Sequence, residues 1–416
     1  MSAGTVASDP PDAIEVQRLA IRGRVWVAEE GGFQEALRAI HGSPERPLCL
    51  CVPGGVEMYV AQLRRLVVKR LPNTGNRHHP RCPSFEPEAT QSGLGPLSGS
   101  AIRELDSGRT ELRVDFPWTR RAGHFAARAI AADSGQVEAS ARRMSLRAVM
   151  HFLFERAGFN RWTPAMAGRR HQGVVRKYLL EAAEEVDVAG GSLADRLFVP
   201  EAFNEATKAD AARRRRDKLA MLQPRDGMTP LALLIGEFKA VEAVEEGLRV
   251  WIRHMPDAPL LVNARVWCRL TRRYAPLFEA RDADTGLRVR LVIAALIKAR
   301  REFTYEIDAA SLMMTSEQWI PAEGVHELPL IDALVKQGRR FVKPLRYDAS
   351  GTEAFANALL LDAGPQPLAL HLLSPYADER SRAARLRAIE REPNEAWVWQ
   401  TDQPMPELPG LAGKPT

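Results

Sequence analysis

Three cysteines and two histidines fall in one 34-residue window, and they constrain the fold of this chain more than any other feature. Cys49-Leu50-Cys51 lies in the segment RPLCLCVPGG, and NRHHPRC places His78 four residues and His79 three residues before Cys82. Three of the four cysteines and two of the nine histidines are therefore concentrated here. Zn²⁺ favours four thiolate or imidazole ligands in a tetrahedron, and closed Cys₃His sets are characteristic of structural sites. A catalytic zinc would keep one position open to water beside a general base, whereas a fourth protein ligand is available here. Pro53-Gly54-Gly55 and Pro72-Asn73-Thr74-Gly75 supply the sharp turns that two ligand loops need. A Cys49–Cys51 disulfide is sterically poor. The spacing thus predicts a structural zinc held by Cys49, Cys51, Cys82 and either His78 or His79. The fourth cysteine, Cys268 in VWCRL, is expected to be a buried apolar residue.

At 416 residues the chain is too long for one ordinary core, so two or three domains are expected. Four cysteines cannot form a disulfide framework, which favours a reducing compartment. The start, Met1 to Asp12, lacks a basic region and an apolar run. The longest apolar runs, such as Leu291 to Ile297, fall well short of the ~20 residues of a membrane span. A cytoplasmic protein without membrane contact is expected. The net charge is +6, but residues 120–225 hold 20 Lys and Arg against 12 Asp and Glu, a net of +8. That stretch carries more than the whole surplus, as a phosphate-binding surface would.

Periodicity divides the chain. Residues 1–14 read as a disordered start, and 15–120 as a β-rich zinc-binding domain. Within it, Leu19 to Ala28 reads as a strand and Phe33 to Ile40 as a helix. Hairpins are expected in Met58 to Arg70, broken near Arg64-Arg65, and around Asp106-Ser107-Gly108. Residues 139–228 form a basic helical domain. One helix there ends near Gly158, a second runs from about Gln172 to Ala183, and a third contains Arg213 to Arg216, the outline of a winged helix. Residues 229–325 are a mixed α/β segment, with strands Leu231 to Phe238 and Leu248 to His254. Residues 326–416 form a C-terminal α/β domain. The fold class expected is α+β and multidomain.

The C-terminal order is a helix (Leu330 to Gly338), strands Arg340 to Leu345, Asn357 to Asp362 and Leu368 to Leu373, a helix (Asp378 to Arg391) and strand Ala396 to Gln400. It resembles a degenerate restriction-endonuclease-like core. The positions of that superfamily's two acids and lysine hold Asn357, Ala369 and His371. A site without carboxylates holds Mg²⁺ poorly, and Asp362 is a weak substitute. Other catalytic signatures fail as well. GLAGK at Gly410 to Lys414 is too short for a phosphate loop, and no GxSxG, HExxH or CxxC occurs. His124, His151 and His171 read as surface or core histidines, and Phe159 and Trp162 as core.

The stretches LCLCVPGGVEMYVAQL, VVKRLPNTGNRHHPRCPSFEP and SGLGPLSGSAIRE resemble a bacterial family known as domain of unknown function 1173. GFNRWTPAMAGRR, FVKPLRYDA and AWVWQTDQ are similar to the same family. The resemblance implies a setting on plasmids and integrative conjugative elements, supplies no catalytic residue, and leans toward His78 without closing the choice with His79. Candidate nucleic-acid contacts are Arg169, Arg170, Arg176 and Lys177, and the run Arg213, Arg214, Arg215 and Arg216. Four consecutive arginines on a helix spread over all its faces, so they cannot all reach one backbone. The expectation is a non-catalytic, zinc-stabilised accessory protein of a mobile element that binds DNA or a DNA-bound partner, with no small-molecule substrate evident. A divergent metal-dependent nuclease and a protein-binding scaffold are the alternatives.

Overall fold

The computed structural model describes residues 16–28, 30–62, 65–71, 73–105, 108–121, 143–245, 247–283, 286–349, 355–392 and 395–412. The expected disordered start, His124, the Asp106-Ser107 turn and Lys414 lie outside them. The chain is α+β and falls into two compact units: Met1–Ala89 with Leu360–Leu368 and Leu408–Thr416, and Thr90–Leu359 with Ala369–Glu407. Among the described residues, no helix is long and apolar enough to cross a membrane.

The first unit is built on strands β1 (Arg18–Ile21), β2 (Arg24–Val27), β3 (Leu48–Cys49), β4 (Val56–Gln62) and β5 (Leu66–Arg70), in the order β2-β1-β3-β4-β5 with antiparallel pairing throughout. The expected single strand from Leu19 to Ala28 is instead a hairpin. Arg22 and Gly23 have φ of 50° and 77°, turning the chain so that Leu19 faces Trp26. Left-handed φ at two successive residues is the geometry of a tight two-residue turn. Helix α1 (Phe33–Ile40) forms where expected, because Phe33, Leu37 and Ile40 recur at helical spacing and all are buried.

The second unit follows with β6 (Ile102–Glu104), β7 (Thr110–Leu112), β8 (Thr119–Arg121), α2 (Leu146–Arg156), β9 (Arg161–Trp162) and α3 (Gln172–Glu184). Next come β10 (Val186–Val188), β11 (Gly191–Ser192), α4 (Leu193–Arg196), β12 (Leu197–Phe198), α5 (Lys208–Leu219), β13 (Met228–Pro230), β14 (Ala232–Val244), β15 (Gly247–Ile252) and β16 (Leu260–Val262). Then α6 (Ala264–Arg273), α7 (Ala275–Asp282), β17 (Val289–Arg301), β18 (Thr304–Ser316), β19 (Pro321–Ala322), α8 (Glu327–Lys336), β20 (Phe341–Val342), β21 (Ala358–Leu360), β22 (Leu368–Leu373), α9 (Glu379–Glu390) and β23 (Trp397–Gln400) complete the chain.

Its centre is a closed ring of strands, β14-β15-β16-β18-β17 and back to β14. One half of β14 pairs with β17 and the other with β15, with a register shift between Phe238 and Ala240 where the strand passes from one partner to the other. A bulge of this kind lets a long strand bend enough to serve two sheets. Helix α2 is capped by Ser145 and buries eight of its eleven residues, so it is a core helix with no face left for a groove. Strand β9 leaves that helical stretch to pair with β20. Arg161–Trp162 and the C-terminal strands therefore share one sheet, of order β23-β22-β21-β20-β9.

Candidate functional site

Cys49 ends β3, and Cys51 enters a turn closed by a hydrogen bond from Gly55 N to Val52 O, with Gly54 and Gly55 at φ 80° and 72°. The second pair sits on a tight loop in which Cys82 N donates to His79 O at 2.8 Å and Phe85 N to Cys82 O at 3.0 Å. The two loops bring one ligand atom each from Cys49, Cys51, His78 and Cys82 within 4.8 Å of one another. Cys49 Sγ is 3.7 Å from Cys82 Sγ, and His78 Nδ1 is 3.3 Å from Cys51 Sγ and 3.7 Å from Cys82 Sγ. Two thiolates at ~2.3 Å from one tetrahedral ion lie about 3.8 Å apart, and a thiolate and an imidazole nitrogen about 3.5 Å apart. These three separations match edges of such a tetrahedron.

The chemistry of the set fits a cation too. Each sulfur is offered an N–H: Gln17 Nε2 to Cys49 at 3.6 Å, His79 N to Cys51 at 3.4 Å and Ser84 N to Cys82 at 3.4 Å. Hydrogen bonds from Cys51 and Cys82 draw the Cys49 thiol far below its usual range. The Cys82 thiol is pushed up, first by its hydrogen bond with Cys49 and then by that with Cys51, and the Cys51 thiol rises beside Cys49 as well. Three thiols this close cannot all ionise on their own, and a divalent ion is what would make the three thiolates compatible.

Between the two histidines the geometry selects His78. His79 turns away, and its Nδ1 accepts from Arg81 N at 3.2 Å. Its contribution is the backbone N–H given to Cys51. His78 presents Nδ1 to the sulfurs, while its buried Nε2 meets no hydrogen-bond partner among the described residues.

The basic residues are less convergent. Arg170 turns inward and donates to the carbonyls of Phe159 (3.1 Å), Gly158 (3.0 Å), Arg161 and Gln318 (3.3 Å), and burial pushes its guanidinium down to about 10. Arg176 and Arg214 meet on Glu201, at 3.7 Å and 2.7 Å. Arg215 is buried and forks onto Asp257, while Arg213 pairs with Asp210 at 2.8 Å. Arg216 lies over Phe303, and Lys177 sits 4.0 Å from Glu181. Arg169 is exposed with no ion pair among the described residues. As the helical spread requires, the four arginines of α5 point in different directions, and three have an acid of their own.

One basic surface escapes a count of charge by blocks of sequence. Helix α6, ARVWCRLTRR, contains no acid, and its buried residues Trp267 and Leu270 leave Arg265, Arg269 and Arg272 exposed on the opposite side at i, i+4 and i+7. None of the three has an acidic partner among the described residues. The i, i+4, i+7 spacing of cations in an acid-free helix was the available signal. Cys268 lies on this exposed side, in contrast to its expected burial, because Trp267 takes the inward position one residue before it.

At the nuclease-like position Asn357 meets the carboxylate of Glu327. Its Nδ2 donates to Glu327 Oε1 at 2.7 Å, and the other carboxylate oxygen is held by Lys343 at 2.7 Å. The carboxylate is thus already neutralised by a fixed ammonium. Asp362 belongs to the other compact unit.

The chain belongs to the family of proteins of unknown function DUF1173, whose model matches residues 19–402. No curated protein and no solved structure shows a significant match.

Proposed function

We propose that this chain is a non-catalytic accessory protein of a mobile genetic element, stabilised by one Zn²⁺ and binding duplex DNA through cations of its second unit. The observation that carries the DNA reading is the acid-free face of α6. The chain as a whole has 58 Lys and Arg against 52 Asp and Glu, so most cations on its surface can find an acid. Those of α5 largely do, whereas Arg265, Arg269 and Arg272 stand without one among the described residues, over roughly 10 Å of helix. Exposed Arg169, and Arg216 on α5, add to the cations that remain available from the basic middle. Contacts of this kind go to phosphates, so they fix position and carry no base sequence.

Zinc is the ion favoured by three thiolates and one imidazole at tetrahedral spacing, and with four protein ligands it would supply structural cross-linking. The mobile-element setting rests on the family resemblance alone.

Titration of a labelled duplex at rising salt tests the reading. Binding should weaken steeply, and Arg265→Ala/Arg269→Ala/Arg272→Ala should flatten the slope of log K against log[salt] by roughly 2.7. Undetectable binding by the unmodified protein, or a salt-independent affinity, would reject DNA binding.

A further inference from the structure

A cavity of about 320 Å³ opens in the second unit beside the start of α9, with His326, Glu327, Arg346, Tyr376, Arg382 and Arg385 in its wall. That volume lies within the range of small-molecule sites. The charges in the wall do not cancel once their partners are counted. Glu323, also in the wall, is held by Arg147 at 2.7 Å, and Glu327 by Lys343 at 2.7 Å; neither cation lines the cavity. Asp378 caps α9 by accepting from Ser381 N at 2.9 Å. Two of the three acids are therefore answered by cations from outside the wall, and Asp378 alone faces Arg346 and Arg382. Arg385 is buried against Phe355 O and His371. Arg346 is only 3.9 Å from Glu323, whose nearer partner is Arg147, and Arg382 has no ion pair among the described residues. Both face a space into which the first turn of a twelve-residue helix also opens.

Two further observations point to a ligand. Thr401 lines the same cavity, and its hydroxyl is buried with no hydrogen-bond partner among the described residues. Tyr376 is 86% exposed, the most of any large hydrophobic side chain among the described residues, and its ring lies 6.5 Å from that of His326 with the planes 21° apart. An aromatic face presented in this way is available for a planar ring to stack on. Both rings belong to the cavity wall.

We propose that this cavity binds a nucleotide, its base stacked on the Tyr376–His326 pair and its phosphate held by Arg346 and Arg382. The ligand is either a free mononucleotide or the terminal nucleotide of a DNA strand, which present the same chemistry. The inference does not depend on the duplex-binding reading, because α6 contributes nothing to the cavity.

Calorimetric titration of the full chain with dAMP, inorganic phosphate, deoxyadenosine and a 5′-phosphorylated ten-nucleotide strand tests it. A 5′-phosphorylated probe, dAMP or the strand, should bind about tenfold tighter than phosphate, with Tyr376→Ala removing that increment. Arg382→Ala should weaken phosphate-bearing probes and leave deoxyadenosine unchanged. Both side chains are exposed, so folding is not at stake. Response to the strand with silence toward dAMP assigns the site to strand ends, and binding of dAMP with equal or weaker strand binding assigns it to free nucleotide. No binding by any probe, or phosphate-bearing probes bound equally by the two variants and the unmodified protein, overturns the proposal.

Discussion

Lys343 Nζ lies 2.7 Å from Glu327 Oε2, with both side chains buried. The pair is part of a connected hydrogen-bond network. Glu327 Oε1 accepts from Asn357 Nδ2, Lys343 Nζ also donates to Asn357 O at 3.2 Å, and Asn357 Oδ1 accepts from Leu372 N at 2.9 Å. The network ties α8, β20, β21 and β22 together through polar groups where a core would ordinarily use apolar ones. Removing one member leaves a buried charge without its partner, which costs about 3–5 kcal/mol. Lys343→Met is therefore expected to lower stability by that amount in urea denaturation. Lys343→Met/Glu327→Leu should be less damaging than Lys343→Met alone, since the orphaned carboxylate is gone. A double variant as damaging as Lys343→Met alone, or more so, would contradict this account.

The metal centre gives a second expectation. Purified protein should carry about one zinc, measurable by elemental analysis. Cys82→Ser and His78→Ala should lose it and unfold the first unit, because binding energy at such a site is folding energy. His79→Ala should keep the metal, since only the His79 backbone N–H faces the cluster. Metal retained by Cys82→Ser, or lost in His79→Ala, would refute the ligand assignment.

The Cys₃His cluster was legible in the sequence because its residues are few, chemically distinctive and close along the chain. Thiol and imidazole types at Cys49, Cys51 and Cys82 survive any detail of the fold. Only the choice of histidine needed the folded structure, because it turns on which ring faces inward. Helix α1 and hairpin β4–β5 were legible for a similar reason, their patterns being local. The ring β14-β15-β16-β18-β17 was not, since its closure depends on Leu234 meeting Ala295, sixty-one residues away, and on a bulge no local pattern announces. The buried Glu327–Lys343 pair escaped as well: the nuclease-like pattern puts its acid at Asn357 itself, whereas the carboxylate here comes from the helix packed beside it.

Acid should destabilise the second unit in two stages. Burial holds the His151 imidazole near 3 against an ordinary 6.5, so the unfolded chain binds the extra proton between those values. Its contribution to stability is complete above about pH 6.5 and is lost as the pH falls toward 3. Glu323 acts in the same direction lower down. Burial alone would raise it, but the fixed cations Arg147, Arg346 and Lys343 help push it down to about 2 from 4.5, and its contribution is lost as the pH falls below 4.5. Between pH 6.5 and 5 the protein should lose about 2 kcal/mol through His151. His151→Gln should abolish that upper stage, and an unchanged profile in this variant would exclude His151 as its origin.

Gly93 is the last test, and it separates steric exclusion from backbone strain. Its N–H donates to Leu345 O at 2.9 Å, which draws the two chains so close that a Cβ would sit 1.9 Å from Arg346 O. Carbonyl oxygen on a paired backbone cannot move aside as a flexible side chain would. Gly99, in the same SGLGPLSGS stretch, has φ of 75° but nothing within 4 Å of the point where a Cβ would stand. Gly99→Ala should then cost only the left-handed backbone penalty, about 1 kcal/mol. Gly93→Ala must part Arg346 from Gly93 and break the adjoining hydrogen bond, for about 2–4 kcal/mol. Urea midpoints measured side by side decide it, since equal losses would mean that close approach is not what reserves position 93 for glycine.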